Sequence, residues 1–145
     1  MSLPDPQPGL VIRYSYLWRR EAEQGREHGV KDRPCVVVLA VKRNAGKTRV
    51  VVAPITHAPP ANSEKALELP AQTKERLGLD EQTSWIVTQE VNVFTWPGPD
   101  LKSIDTKAGQ CFAFGYLPSK LTTQIIEAVM RHASEGSAQM VHRSE

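Results

Sequence analysis

Arg33, Thr56 and His57 are the residues of this sequence best suited to act together on an anion. A guanidinium stays charged and grips two phosphate oxygens at once. A threonine hydroxyl donates or accepts, and an imidazole moves a proton near neutral pH. The three meet through two apolar runs, Cys35-Val36-Val37-Val38-Leu39-Ala40-Val41 and Val50-Val51-Val52-Ala53-Pro54-Ile55, which flank Asn44-Ala45-Gly46. Such runs about a three-residue turn ending in Gly read as a β-hairpin. With Arg43 opposite Lys47, Arg33 falls opposite His57 and one step from Thr56, even allowing a one-residue bulge. Neighbouring strand residues point to opposite faces, so Thr56 and His57 share a pocket only where the strand breaks. Pro59-Pro60 makes that break credible. The expected result is an anion or phosphate site at the far end of the hairpin. The readings weighed against it are an Arg33 paired with Asp32 or Glu27 and a purely structural Thr56.

The elements that must hold these residues follow from periodicity. Leu10, Ile12, Tyr14, Tyr16 and Trp18 alternate in strand fashion after Pro8-Gly9. Arg19 to Asp32 is charged, punctuated by Gly25 and Gly29 and without an apolar stripe, so it reads as a long mobile loop. Ala66 to Leu69 is a short edge strand, Ala71 to Leu77 a brief helix stopped by Gly78, Ser84 to Trp96 one strand and Cys111 to Tyr116 another. Leu121, Ile125, Ala128 and Val129 form the stripe of a helix near the C-terminus. Five to seven short strands with that helix predict a mainly β (α+β) chain, a small barrel with one helix laid against it. The 145 residues read as a single domain, with 1–7 and 133–145 as flexible tails.

Charge is concentrated. Ten Lys/Arg against four Asp/Glu lie between Arg13 and Arg49, although the whole chain carries only +2. A segment with Arg13, Arg19, Arg26 and Lys31 suits a polyanion, which makes these four candidate RNA contacts, or else it is a solvated face. Trp85 and Trp96 are candidate stacking platforms or core residues. No apolar run approaches a membrane span and no leader pattern opens the chain, so a cytoplasmic protein is expected. Cys35 and Cys111 are expected to pack rather than pair. There is no metal-spaced Cys/His cluster, no Gly-rich phosphate loop and no Gly-x-Ser-x-Gly; neither metal nor cofactor is expected.

The order of these pieces resembles the MazF/PemK family of toxin endoribonucleases from bacterial toxin–antitoxin systems. The matching residues are Pro8 to Trp18 as the first strand, Arg33-Pro34 opening a Val-rich strand, and Pro54-Ile55-Thr56 ending the next. Gln89 to Trp96 stands for a later strand, and Leu117-Pro118 precedes the closing helix, so that residues 8 to 131 are covered. The resemblance implies an SH3-like β-barrel of the CcdB/MazF/PemK type with a C-terminal α-helix. It also implies a homodimer, an antitoxin partner, and metal-independent cleavage of single-stranded mRNA. The family's functional arginine and threonine fall on Arg33 and Thr56, and its loop acid has its nearest counterpart in Glu27. His57 is a further candidate base. Leu10 replaces the usual Asp after the first-strand Gly, and Val87-Thr88-Gln89 replaces an Arg-x-Asp pair. These departures leave two other expectations in play, a non-catalytic PemK-like binding module and a CcdB-like gyrase-poisoning toxin. The residues Gln139 to Glu145 lack the apolar-aromatic tail of the latter.

Overall fold

The computed structural model describes residues 3–26, 29, 31–43, 46–62 and 65–143. It is mainly β, with a largely antiparallel sheet and a helix near the C-terminus. The elements are β1 (Leu10–Tyr14), α1 (Arg19–Glu23), β2 (Arg33–Lys42), β3 (Thr48–Thr56), β4 (Ala66–Glu68), α2 (Ala71–Leu77) and β5 (Trp85–Val87). They continue with β6 (Glu90–Trp96), β7 (Leu101–Lys102), β8 (Ile104–Thr106), β9 (Gly109–Cys111), β10 (Gly115–Tyr116), α3 (Ser119–Ser134) and β11 (Gln139–His142).

The main path runs β10-β1-β2-β3-β5-β4, with β6 also on β3, β7 on β1, and β11 on β6; β8 and β9 form a separate hairpin. No closed ring of strands is present among the described residues. The central hairpin is buried on both faces over Cys35 to Val38 and Val52 to Ile55, and a strand covered on both faces can be continuously apolar. Val36, Val38, Ala53 and Ile55 pack with Leu77, Ile125 and Val129 on the helix side. Cys35, Val37, Val50 and Val52 pack with Ile12, Tyr14, Tyr16 and Phe94 on the other. Tyr14 stacks on Phe94 at 4.5 Å between ring centroids. In α3 the expected stripe is the buried one, with Ile125, Ala128 and Val129 inward. Both cysteines are free.

Four expectations are revised. The hairpin register begins as expected, with Lys42 opposite Thr48, but a bulge between Val37 and Leu39 brings Cys35 opposite Pro54. Continued two residues further, that register sets Arg33 against Thr56 rather than His57. The segment read as one strand from Ser84 breaks at Thr88-Gln89, where the Thr88 N–H and hydroxyl both donate to the Lys65 carbonyl. Its two halves, β5 and β6, join β3 separately: β6 pairs with Thr48 to Val52, β5 with Ile55 and Thr56. Pro54 lies in the gap, where a residue without an N–H cannot extend a ladder. Part of the expected mobile loop is helical (α1), and Gly29 passes so close to the Tyr16 carbonyl that a Cβ there would overlap it. Where fraying was expected after His132, α3 runs on to Ser134 and β11 pairs in parallel with β6.

Directly after that last strand comes Arg143, whose side chain is 1% exposed. Its guanidinium donates to the Asp100 carboxylate at 2.8 Å, the Asn92 side-chain oxygen at 3.0 Å and the Ser15 carbonyl at 2.7 Å. Asn92 in turn pairs with the Leu17 backbone in both directions, at 2.9 and 2.8 Å. Breaking a buried pair on one side leaves an uncompensated charge, which costs about 3–5 kcal/mol, whereas replacing both partners by apolar groups is often neutral. Arg143→Ala is therefore expected to lower the unfolding free energy read from urea titration by that amount, with a lower midpoint, and Arg143→Met with Asp100→Leu to recover most of it. Equal midpoints for Arg143→Ala and the wild type would refute the assignment.

Candidate functional site

The seam where β3 changes partners opens as a cleft of about 830 Å³. One wall comes from the start of β2 and the segment after β1. Arg33 pairs with Tyr14 on β1, so its position is fixed by the ladder. Its guanidinium carbon lies 5.1 Å from the centroid of the Trp18 ring, and that of Arg20 lies 5.6 Å from the same ring. A cation over an indole is held without consuming its N–H donors. The Arg33 Nε is buried and makes no hydrogen bond among the described residues. Asp32 does not neutralise it, because that carboxylate pairs with Arg13 at 3.3 Å. An arginine laid over an aromatic face has its guanidinium plane fixed beside the cleft that it lines.

The opposite wall begins where β3 ends. The Thr56 hydroxyl accepts from the Ala58 N–H at 3.2 Å, a local turn that interrupts the strand. Thr56 and His57 consequently line the same cleft, together with Pro59 and Pro60. His57 Nε2 is 2.8 Å from Asp80 Oδ2, and Lys74 Nζ is 2.7 Å from Asp80 Oδ1. Asp80 is set by local chemistry: Gly78 ends α2 in the left-handed region at φ 73°, and the Asp80 carboxylate caps the Gln82 N–H at 3.1 Å. The hydrogen bond from Lys74 is the main reason the Asp80 carboxyl is held below its usual range, with His57 adding to the effect.

A third group comes from β6. Glu90 accepts from the Tyr16 hydroxyl at 2.8 Å and the Arg19 N–H at 3.2 Å, and it lines the cleft. Burial pushes its carboxyl up from the ordinary value, partly offset by those donors. Burial also raises the Tyr16 phenol, which stays a donor. A carboxyl shifted upward beside an arginine in a cleft is a candidate proton donor or acceptor.

Of the residues singled out in the sequence, Arg33, Thr56, His57 and Lys31 are brought together. Glu27 lies outside the described residues. Arg19 pairs with Glu23 at 2.9 Å and borders a neighbouring shallow depression, Arg13 donates to the Ser103 carbonyl at 3.0 Å, and Arg26 lines neither hollow. Trp85 and Trp96 do not line the cleft; Trp18 does. Lys74, Asp80 and Glu90 were not anticipated. Their signals were present in the sequence: a lysine on the inner stripe of a short helix, an aspartate two residues after its glycine cap, and a carboxylate opening an apolar strand. Among the described residues no three His, Cys, Asp or Glu are grouped to hold a metal. No protein-family model matches the chain, and no curated protein matches it in sequence.

The upward shift of Glu90 has a sign for stability. A carboxyl whose folded pKa exceeds its unfolded one binds its proton more tightly in the native state, so its contribution weakens as pH rises from the ordinary carboxylate range through the folded value. Glu90→Gln is expected to gain stability relative to wild type between pH 4 and pH 7, read from urea midpoints. A difference that does not change with pH would remove the shift.

Proposed function

We propose that this protein is a toxin-type endoribonuclease that cleaves single-stranded RNA by attack of the ribose 2′-hydroxyl without a metal ion, on a partly open SH3-like barrel. The observation that supports it is one cleft lined by a Trp18-held Arg33 and by Thr56, His57, Lys31 and Glu90. The resemblance to the MazF/PemK family points the same way, and with it come an antitoxin partner, a homodimer and a cytoplasmic setting. No helix among the described residues is long and apolar enough to cross a membrane.

In this reading Arg33 binds two non-bridging phosphate oxygens and stabilises the charge that grows on them. Thr56 fixes the phosphate in line with the 2′-oxygen. His57 takes the 2′-hydroxyl proton as the O2′–P bond forms, and the Glu90 carboxyl gives a proton to O5′ as the P–O5′ bond breaks. The products are a 2′,3′-cyclic phosphate and a 5′-hydroxyl, and proton exchange with water restores both side chains. Lys31 at the rim attracts the strand.

The test is purified protein with a long single-stranded RNA in EDTA, with ends mapped by mass spectrometry. Cyclic phosphate ends are expected, lost about 10²-fold or more in Arg33→Ala and poorly restored by Arg33→Lys, because a point charge cannot reproduce the two-oxygen grip. Unchanged cleavage in Arg33→Ala, or binding without cleavage by the wild type, would overturn the reading; the latter result leaves a binding module. With a non-cleavable RNA, Lys31→Ala is expected to reduce the salt dependence of binding by about one neutralised phosphate. Arg13→Ala is expected to leave it unchanged, since Arg13 does not line the cleft and is engaged with Asp32 and the Ser103 carbonyl.

A further inference from the structure

Lys74 is an unusual residue to find with a side chain only 6% exposed. Its three ammonium donors are matched by three acceptors: Asp80 Oδ1 at 2.7 Å, Ser84 Oγ at 2.6 Å and the Gln82 carbonyl. An ammonium has no acceptor capacity, so whatever atom stands at the Oδ1 position must be an oxygen. The carboxylate's other oxygen, Oδ2, reaches His57 Nε2 at 2.8 Å. An ionised carboxylate only accepts, which places the imidazole proton on Nε2 and leaves Nδ1 with its lone pair. The His57 and Asp80 side chains are 47% and 51% exposed, and an ion pair that open contributes little to stability. The cost of burying Lys74 therefore yields orientation more than stability.

We infer that Lys74 and Asp80 are positioning residues that fix the tautomer of His57, so that Nδ1 is the nitrogen available to accept a proton in the cleft. The chain runs from a buried cation through a half-exposed carboxylate to an imidazole. Each link is set by the donor count of the one before it. The role of that nitrogen in RNA cleavage rests on the endoribonuclease reading; the orientation itself does not. Asp80→Asn separates the two. Lys74 requires the amide oxygen, so the amide NH2 turns to His57 and becomes a donor to Nε2. The ring must then carry its proton on Nδ1. A substitution of one oxygen by nitrogen thus inverts the tautomer while keeping shape.

The experiment is long-range nitrogen–proton NMR of the full chain at a pH where the imidazole is neutral, with His57 assigned by its absence in His57→Gln. The wild type is expected to show Nε2–H and Asp80→Asn to show Nδ1–H, with a cooperative thermal melt retained at a lower midpoint because Lys74 loses its counter-charge. In the cleavage assay kcat is expected to fall about 10²-fold or more with KM within twofold. Nδ1–H in the wild type, or Nε2–H retained in Asp80→Asn, overturns the inference. Should Asp80→Asn fail to fold, the wild-type tautomer decides alone. A tautomer that inverts in a protein that cleaves no RNA upholds the orientation and removes the endoribonuclease reading instead.

Discussion

The contact between Arg143 and its three acceptors governs where the cleft's first wall stands. It joins the end of β11, the Asp100 turn, the middle of β6 and the segment after β1, which are separated by up to 128 positions in the chain. A desolvated guanidinium tolerates little freedom, because each donor without an acceptor costs roughly the desolvation of that group. The Ser15-to-Trp18 segment is therefore held by main-chain and side-chain oxygens rather than by a strand ladder. Trp18 is where that segment ends, and Trp18 carries Arg33. The geometry of Arg33 thus depends on Arg143, more than a hundred positions further along the chain.

Two cations in the molecule are treated in opposite ways. Lys74 is buried with every donor satisfied, and Arg33 is laid over an indole with a buried Nε that the described protein does not satisfy. The first is structural in the sense of orienting its neighbours. The second is held beside the cleft by the ring it lies on. Aromatic support makes the difference, since it fixes a guanidinium plane through dispersion and the ring quadrupole while leaving its hydrogen-bonding edge unspent.

Much of this was legible in the residues. The hairpin, the closing helix with Ile125, Ala128 and Val129 inward, and the meeting of Arg33 with Thr56 and His57 follow from patterns of period two and 3.6 plus a turn. What was hidden had a common cause: it depended on long-range partners. Arg143 in a polar stretch looks like tail until a buried Asp100 is known. Arg19 to Asp32 looks unstructured because its anchors, Glu90 for the Arg19 N–H and Ser15 for Gly29, come from other parts of the chain. The bulge between Val37 and Leu39 leaves no mark in a continuous run of valines. Glu90 reads as an ordinary strand-edge acid until the Tyr16 hydroxyl is placed against it.

The division of β3 between two partners gives the cleft a mechanical character. Arg33 and Glu90 belong to the ladder of β1, β2, β3 and β6, with Trp18 packed on Arg33, whereas His57, Asp80 and Lys74 are carried by the end of β3 and the β4-α2-β5 unit. No strand pair among the described residues bridges the two across the opening; beneath it Leu69, Leu77 and Ile86 of the second pack in one core with Val11, Val36 and Val38 of the first. A cleft built as a seam over a shared core takes its width from the packing beneath it rather than from hydrogen bonds across it. That width is accordingly a property of buried apolar volume, and a substitution at Leu77 or Ile86 would alter the spacing of the two walls without touching a residue that lines either.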